Sequence, residues 1–337
     1  MTKVTRTTNR NASPSAHGWC FQVGAGISLM LDYVKDFTNL KMEGRSDDIE
    51  ITLNNKQKVY AQAKSVMQIG DQRSASTNLT DALKVLSEDE RKGDSCKLIY
   101  VTNISNPLSS SNKSAFEYGR TYDFSILSDK DKKTITDKIG VEFPTDKFQV
   151  QIIRFFGEGN NKFDDIKEKI SNFLRTAIND TSYSTQLLES WFETFMVNAA
   201  DKPDKEKELS LTKRNVIFPV IAVVIYPAIV DADFNKVCDY ENYNEVKQEF
   251  RRIISNKICN YEFIAQVLAD YREKKKNIKG DATYKYEFTK NEWRNYENEF
   301  ALLINNKEKR EALIKTILLT VIIHNATIQE IKEAANL

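Results

Sequence analysis

Two neighbouring segments hold the side chains best suited to chemistry, Asp48-Ile-Glu-Ile-Thr-Leu53 and Lys58-Val-Tyr-Ala-Gln-Ala-Lys64. Along an extended chain, side chains two apart share a face. Gln62 and Lys64 therefore project together, while Val59, Ala61 and Ala63 turn to the opposite, apolar side. Asp48 opens the polar face of the first segment, and Ile49 and Ile51 line its buried face. If the two segments pair, a carboxylate, an amide and an amine meet at one end of a sheet. Phosphodiester hydrolysis needs that set. A hard Mg²⁺ ion, or Mn²⁺ in its place, takes carboxylate and carbonyl oxygens and keeps some of its water. It acidifies a bound water and neutralises charge developing on the phosphate. An ammonium beside it orients that water and adds positive charge. Asp48 is accordingly the candidate metal ligand, Gln62 the group that positions metal or water, and Lys64 the catalytic ammonium. The Ala63 carbonyl is a candidate to complete the metal shell. Glu43 is a second carboxylate if the bend at Gly44 folds it inward.

A bare Gln-x-Lys occurs by chance about once in a chain of this size, so its surroundings decide its weight. Glu90-Arg-Lys92 and Asp131-Lys-Lys133 offer the same acid-x-lysine spacing, but are expected in charged loops with no strand around them. The Gln62 segment alternates polar and apolar residues and follows an acid-led segment across the turn-prone Asn54-Asn55. A solvated polar hairpin face is the competing reading.

The elements around it fall in a definite order. Phe21 to Tyr33 predicts a helix, then come the two strands, then a helix at about Leu79 to Leu86 and a buried strand Lys97 to Thr102 ending in Asn103. Phe148 to Phe155 predicts a further strand. Helix, strand, strand, helix, strand implies an α/β core with a mixed sheet. From about Asp164 the apolar period turns helical, with helices expected at 163–178 and 183–197, a loop at Asp201 to Lys213, and mostly helical segments to the end. The expected division is 1–165 for the α/β domain and 166–337 for the helical one.

Composition sets the limits. Of 337 residues, 41% are hydrophobic and 29% charged, which describes a folded globular chain. Lys and Arg number 49 against 48 acids, so nucleic-acid binding has to come from local patches. One such patch is the arm before Asp32, the first acid of the chain. There Lys3, Arg6 and Arg10 are candidate DNA contacts, with a terminus that takes no part as the alternative. Arg272, Lys274, Lys275, Lys276 and Lys279 form a second patch, for which a solvated helix end is the plainer reading. Four scattered cysteines and two histidines do not make a zinc site, and the thiols suit a reducing cytoplasm. No signal-peptide core opens the chain, and the apolar runs 217–230 and 314–323 fall short of a membrane span. A cytoplasmic protein with no membrane association is expected. Gly24-Ala-Gly26 lacks the third glycine and the preceding strand of a dinucleotide fingerprint and is expected to serve helix packing. No phosphate-binding Gly-Lys-Ser/Thr loop is present, which excludes that route to ATP hydrolysis.

Taken in order, Gly18-Trp-Cys-Phe-Gln22, Glu43-Gly-Arg-Ser-Asp-Asp-Ile49, Gln62-Ala-Lys64 and Val101-Thr-Asn103 resemble the restriction-endonuclease-like, PD-(D/E)xK family of antiviral effector nucleases. These serve the CBASS and Lamassu defence systems of bacteria. The resemblance covers about residues 15 to 160. It implies that Asp48, Gln62 and Lys64 fall on the active site and that Glu43 and Gln22 support it. The second half does not look like the cyclic-nucleotide-sensing domain of CBASS effectors, so the Lamassu effector subunit is the nearer likeness. That likeness implies double-stranded DNA as substrate and activation by self-assembly, with a tetramer as the active form. It also implies restraint by an SMC-like ATPase and a small accessory subunit. A catalytically inactive nuclease fold that binds DNA or acts as a scaffold is the alternative, and a nuclease for RNA or single strands is another. A purely helical adaptor is a third.

Overall fold

The computed structural model describes residues 13–42, 48–68, 70–108, 116–139, 143–157, 159–200, 209–226, 231–238, 240–276 and 282–337. These belong to two compact units, Met1–Ile170 with Phe192–Leu211, and Ser171–Trp191 with Thr212–Leu337. The chain crosses between them at 170/171, 191/192 and 211/212, where the sequence reading draws a single cut at 165/166.

The first unit is built on a seven-stranded mixed sheet. Its chain order is α1 (Ser13–Asp32), β1 (Phe37–Met42), β2 (Ile49–Leu53), β3 (Lys58–Lys64), α2 (Gln72–Glu90) and β4 (Ser95–Thr102). Then follow β5 (Arg120–Asp123), α3 (Asp129–Ile139), β6 (Phe148–Ile152) and, after the helices α4 (Asp164–Ile178) and α5 (Ser184–Ala200), the short β7 (Leu209–Thr212). In space the strands lie β5-β6-β4-β3-β2-β1-β7. β1, β2 and β3 pair antiparallel, β3 with β4 and β4 with β6 parallel, and β5 with β6 antiparallel. The parallel β3–β4 step needs a crossover, and α2 supplies it.

β1 was not foreseen, for a physical reason. Phe37, Leu40 and Met42 are all fully buried, and a bulge between Phe37 and Asn39 shifts the register so that an odd spacing faces inward. Strict alternation is thereby lost from the sequence. The turn between β2 and β3 closes as expected around Asn54 and Asn55. Lys56 takes a left-handed φ of 68°, and the Asn55 Oδ1 accepts the Gln57 N–H at 2.9 Å. Of the rival acid-x-lysine triplets, Glu90-Arg-Lys92 runs from the last residue of α2 into the turn after it. Asp131-Lys-Lys133 lies in the helix α3 and not in the loop expected for it, because Ile135 packs that segment on the sheet.

Both faces of the sheet are covered. On one, Tyr60, Leu98, Tyr100, Phe148 and Val150 pack with Leu79, Leu83 and Leu86 of α2 and Ile135 of α3. On β1, β2 and β3 lies α1, whose glycines allow close approach. A Cβ on Gly24 would stand 2.7 Å from the Ile166 side chain, and one on Gly26 would stand 2.9 Å from the Met42 sulfur. Gly24 and Gly26 are thus packing residues. Strands covered on both sides become apolar on both faces, and the five central residues of β3 are all buried.

The second unit is helical. α12 (Lys307–Ile323) is buried nearly all round, from Ala312 to Ile322, and the short α7 (Asp231–Phe234), α8 (Tyr240–Glu249), α9 (Arg251–Ile258), α10 (Tyr261–Lys275), α11 (Tyr284–Glu292) and α13 (Asn325–Ala334) pack on it or on each other. The Thr316 and Thr320 hydroxyls inside α12 satisfy themselves on the Ala312 and Thr316 carbonyls at 2.6 and 2.7 Å. α6 (Lys213–Ile225) opens with a capping box between Thr212 and Asn215 and continues through Pro219, where burial from Val216 to Ala222 outweighs the break that proline favours. Among the described residues no single helix is long and apolar enough to cross a membrane.

The α1–β1 contact gives a direct test. Gly26→Val should destabilise the chain by about 1–3 kcal/mol, because Met42 must move to admit two extra carbons beyond Cβ. Urea denaturation measures it, and an unchanged midpoint would mean that this contact is loose.

Candidate active site

The β2–β3 ladder ends at the pair Ile49↔Ala61. The next β3 donor that faces β2 is the Ala63 N–H, and the Asp48 carboxylate takes it, Oδ2 accepting at 2.9 Å. Lys64 closes on the same carboxylate, its Nζ lying 3.0 Å from Oδ2 and 3.3 Å from Oδ1. The carboxylate thus takes a β3 amide beyond the last described pair and binds an ammonium at once. The Asp48 and Lys64 side chains are 15% and 30% exposed, so the pair is partly shielded yet reachable from solvent. Because one strand residue turns its N–H and C=O to the same side, the Ala63 carbonyl also faces the Asp48 side.

Gln62 stands beside Tyr100 in the β3–β4 register and shares its strand face with the buried Tyr60. It is 1% exposed, held among neighbours and not open to solvent. Gln22 lies half-buried on α1. Glu43, Lys3, Arg6 and Arg10 lie outside the described residues. The structure therefore brings Asp48, Ala63 and Lys64 into contact, with Gln62 adjacent on the same strand.

Three further residues fasten the chain just after Lys64, and sequence reasoning assigned none of them a role. Asn103, fully buried at the end of β4, accepts the Val66 N–H at 2.9 Å and donates back to the Val66 carbonyl at 2.8 Å. Asn78 of α2 donates to the Ser65 carbonyl at 3.4 Å. On the α1 side, His17 Nδ1 sits 3.2 Å from the Ser65 hydroxyl, with its ring edge-on to Phe155. Asn103 closes the Val-Thr-Asn run after a buried strand, which is a visible signal. His17 has none, since its partner is remote in sequence.

No protein-family model, curated protein or solved structure matches the chain. The geometry alone bears on what the site can do. Among the described residues no group of three or more His, Cys, Asp or Glu side chains is gathered. A cation at this point would rest on one carboxylate, with carbonyl or amide oxygens and water for the rest. Mg²⁺ accepts that coordination, since it keeps several waters and is often held by one or two carboxylates. The donors present fit such an ion.

His17 also carries an electrostatic signature. Burial first, and the nearby Lys162 charge second, hold its pKa below the usual histidine value. Protonation is therefore easier in the unfolded chain, and stability falls as pH drops below the ordinary histidine range toward that lowered value. His17→Gln should flatten the decline in thermal stability between neutral and mildly acidic pH. An identical pH profile in the variant would remove His17 from the account. Asn103→Ala leaves two buried backbone groups of Val66 unpaired, at a cost of about 1–3 kcal/mol for each. Denaturant titration reads that loss, and a change under half a kcal/mol would show the latch to be dispensable.

Proposed function

We propose that the first unit is a Mg²⁺-dependent endonuclease core that hydrolyses double-stranded DNA, with Asp48 and Lys64 as its catalytic pair. The observation that carries this reading is the Asp48 carboxylate set at the end of a β2–β3 ladder, 3.0 Å from the Lys64 ammonium and capping the Ala63 amide. Support also comes from the order α1-β1-β2-β3-α2-β4, an antiparallel meander followed by a crossover to a parallel strand. It is the arrangement in which the PD-(D/E)xK resemblance puts its acid and lysine on adjoining strands.

In this reading Asp48 and the Ala63 carbonyl would hold the ion, with Gln62 supporting them and Glu43 a further candidate. The ion supplies Lewis acidity toward the scissile phosphate and a more acidic water when bound. Lys64 leaves its contact with Asp48 to bind a nonbridging phosphate oxygen and to align the attacking water. Gln62, fixed among its neighbours, keeps β3 in register at the point where its last residues turn toward Asp48. Asn103, Asn78 and His17 hold the following segment, so Lys64 starts from a rigid strand end.

The larger role also belongs to this proposal. The chain acts as the effector of a bacterial defence system against phage and plasmids, restrained by an SMC-like ATPase and a small accessory subunit. A charge of +1 gives one copy little general attraction for DNA, and several copies acting together multiply the contacts. Self-assembly, with a tetramer as the active form, is the matching control, and the helical unit is its docking surface.

One observation favours the second reading, an inactive fold that only binds DNA or scaffolds. A neutral Gln62 stands where an acid would strengthen the metal site, leaving Asp48 the lone carboxylate of the described centre.

Plasmid digestion separates the two. The parent chain with Mg²⁺ should nick or linearise plasmid, alone or on assembly. Lys64→Ala and Asp48→Asn should each slow this by at least about 100-fold while leaving the fold intact by circular dichroism. Cleavage unchanged in both variants would remove the assignment, and no cleavage by the parent in any oligomeric state would favour the inactive fold. Parallel digests of single-stranded DNA and RNA fix the substrate class.

A further inference from the structure

The segment leaving Lys64 combines two properties that rarely occur together. Its backbone is locked, because Asn103 bonds both polar groups of Val66, Asn78 holds the Ser65 carbonyl, and His17 meets the Ser65 hydroxyl. Val66 itself is buried with Ala75 and Ile104, and Asp71 anchors the far end by capping α2 through the Ser74 N–H at 3.0 Å. Yet the next residue, Met67, is 54% exposed, one of only four large apolar side chains so exposed among the described residues. A locked backbone fixes where that side chain stands relative to Lys64.

We infer that the segment Ser65–Gln68 is a DNA-reading element in which Met67 wedges into the minor groove and unstacks a base step beside the scissile phosphate. This rests on the nuclease reading and names how that site takes its substrate. Three residues span at most about 11 Å of chain. That is about three base-pair steps along duplex DNA, so a wedge at Met67 acts within a few base pairs of a phosphate held at Lys64. Apolar wedges, methionine among them, are a recurrent way to unstack and kink a duplex from the minor groove. The surroundings fit DNA better than a protein partner. Met67 is followed in the chain by the exposed Gln68, whose amide can meet base edges, and by the exposed Arg73 in the first turn of α2, with the Asp71 carboxylate between them spent on the α2 cap. A protein interface of useful size needs a contiguous apolar patch, and Val66 on the other side is buried.

The test uses the full chain. In a Lys64→Ala background, which keeps the duplex uncut, binding to an oligonucleotide carrying 2-aminopurine should raise its fluorescence as the base unstacks, and adding Met67→Ala should abolish the rise. With Lys64 intact, Met67→Ala should cut a fully paired duplex roughly 10-fold more slowly, the loss expected when a kcal-scale unstacking contribution disappears. The same variant should cut a duplex with a mismatched bubble within about 2-fold of the parent, because that substrate is already unstacked. Equal cutting of both substrates at the parent rate would overturn the wedge and leave the nuclease reading standing. An equal slowing on both would also overturn it, since a structural or assembly role acts without regard to stacking. A parent chain that cuts neither substrate would bring down the nuclease reading and the wedge with it.

Discussion

The constraint on which the rest depends is a single amide hydrogen. The last described β2–β3 pair is Ile49↔Ala61, and beyond it the Asp48 carboxylate takes the Ala63 N–H. A buried or half-buried donor left unpaired costs free energy, so the acid turned inward stabilises this end of the β2–β3 pair. Once there, the carboxylate is a fixed negative charge at the end of β3, and Lys64, two residues from Gln62 and one from Ala63, is drawn to it. One side chain thus both takes a backbone amide of β3 and holds the Lys64 ammonium. The ion pair itself contributes little to stability, since both partners keep contact with water. Its importance is positional.

Rigidity around this point comes from packing on both sides. α2 and α3 seal one face of the sheet through a cluster that includes Tyr60 and Tyr100, and α1 approaches β1 closely because Gly26 presents no side chain, and Ile166 of α4 because Gly24 presents none. The Tyr100 hydroxyl, wholly buried in that cluster, has its pKa pushed upward by burial, so the site adds no second ionised group from this side. The Lys64 side chain has Asp48 as its partner here, and the proposed reading gives it the phosphate of a substrate as a second. The helical unit has a different logic. Its α12 is buried on nearly every side from Ala312 to Ile322 and is tolerated because other helices surround it, with threonines turned back on their own helix.

How much of this was legible in the residues follows from periodicity. β3 was read at its observed bounds, because Lys58 to Lys64 alternates cleanly and is flanked by a turn. α10 was likewise read as found, from Tyr261 to Lys275. β1 escaped because its bulge breaks the two-residue period, and β5 because its four residues are exposed or half-exposed polar and aromatic ones. β7 sits within a charged stretch that resembles a loop, and only its position beside β1, with Ser210 Oγ donating to Asn39 at 2.8 Å, makes it a strand. The proximity of Asp48 and Lys64 is legible because strand alternation and a short turn fix their neighbourhood. The fastening of Ser65 and Val66 by His17, Asn78 and Asn103 was not, since those contacts join residues far apart in the chain, and no local pattern encodes them.

The central claim is that Asp48 marks a cation site in a chain whose described residues hold no dense cluster of acids. Titration of the full chain with Mn²⁺, followed by the loss of the free-ion electron paramagnetic resonance signal, addresses it without reference to any substrate. The account predicts saturable binding in the parent that is weakened at least about tenfold in Asp48→Asn, the loss expected when the one charged ligand is neutralised. Mn²⁺ binding of equal strength in parent and variant would contradict it.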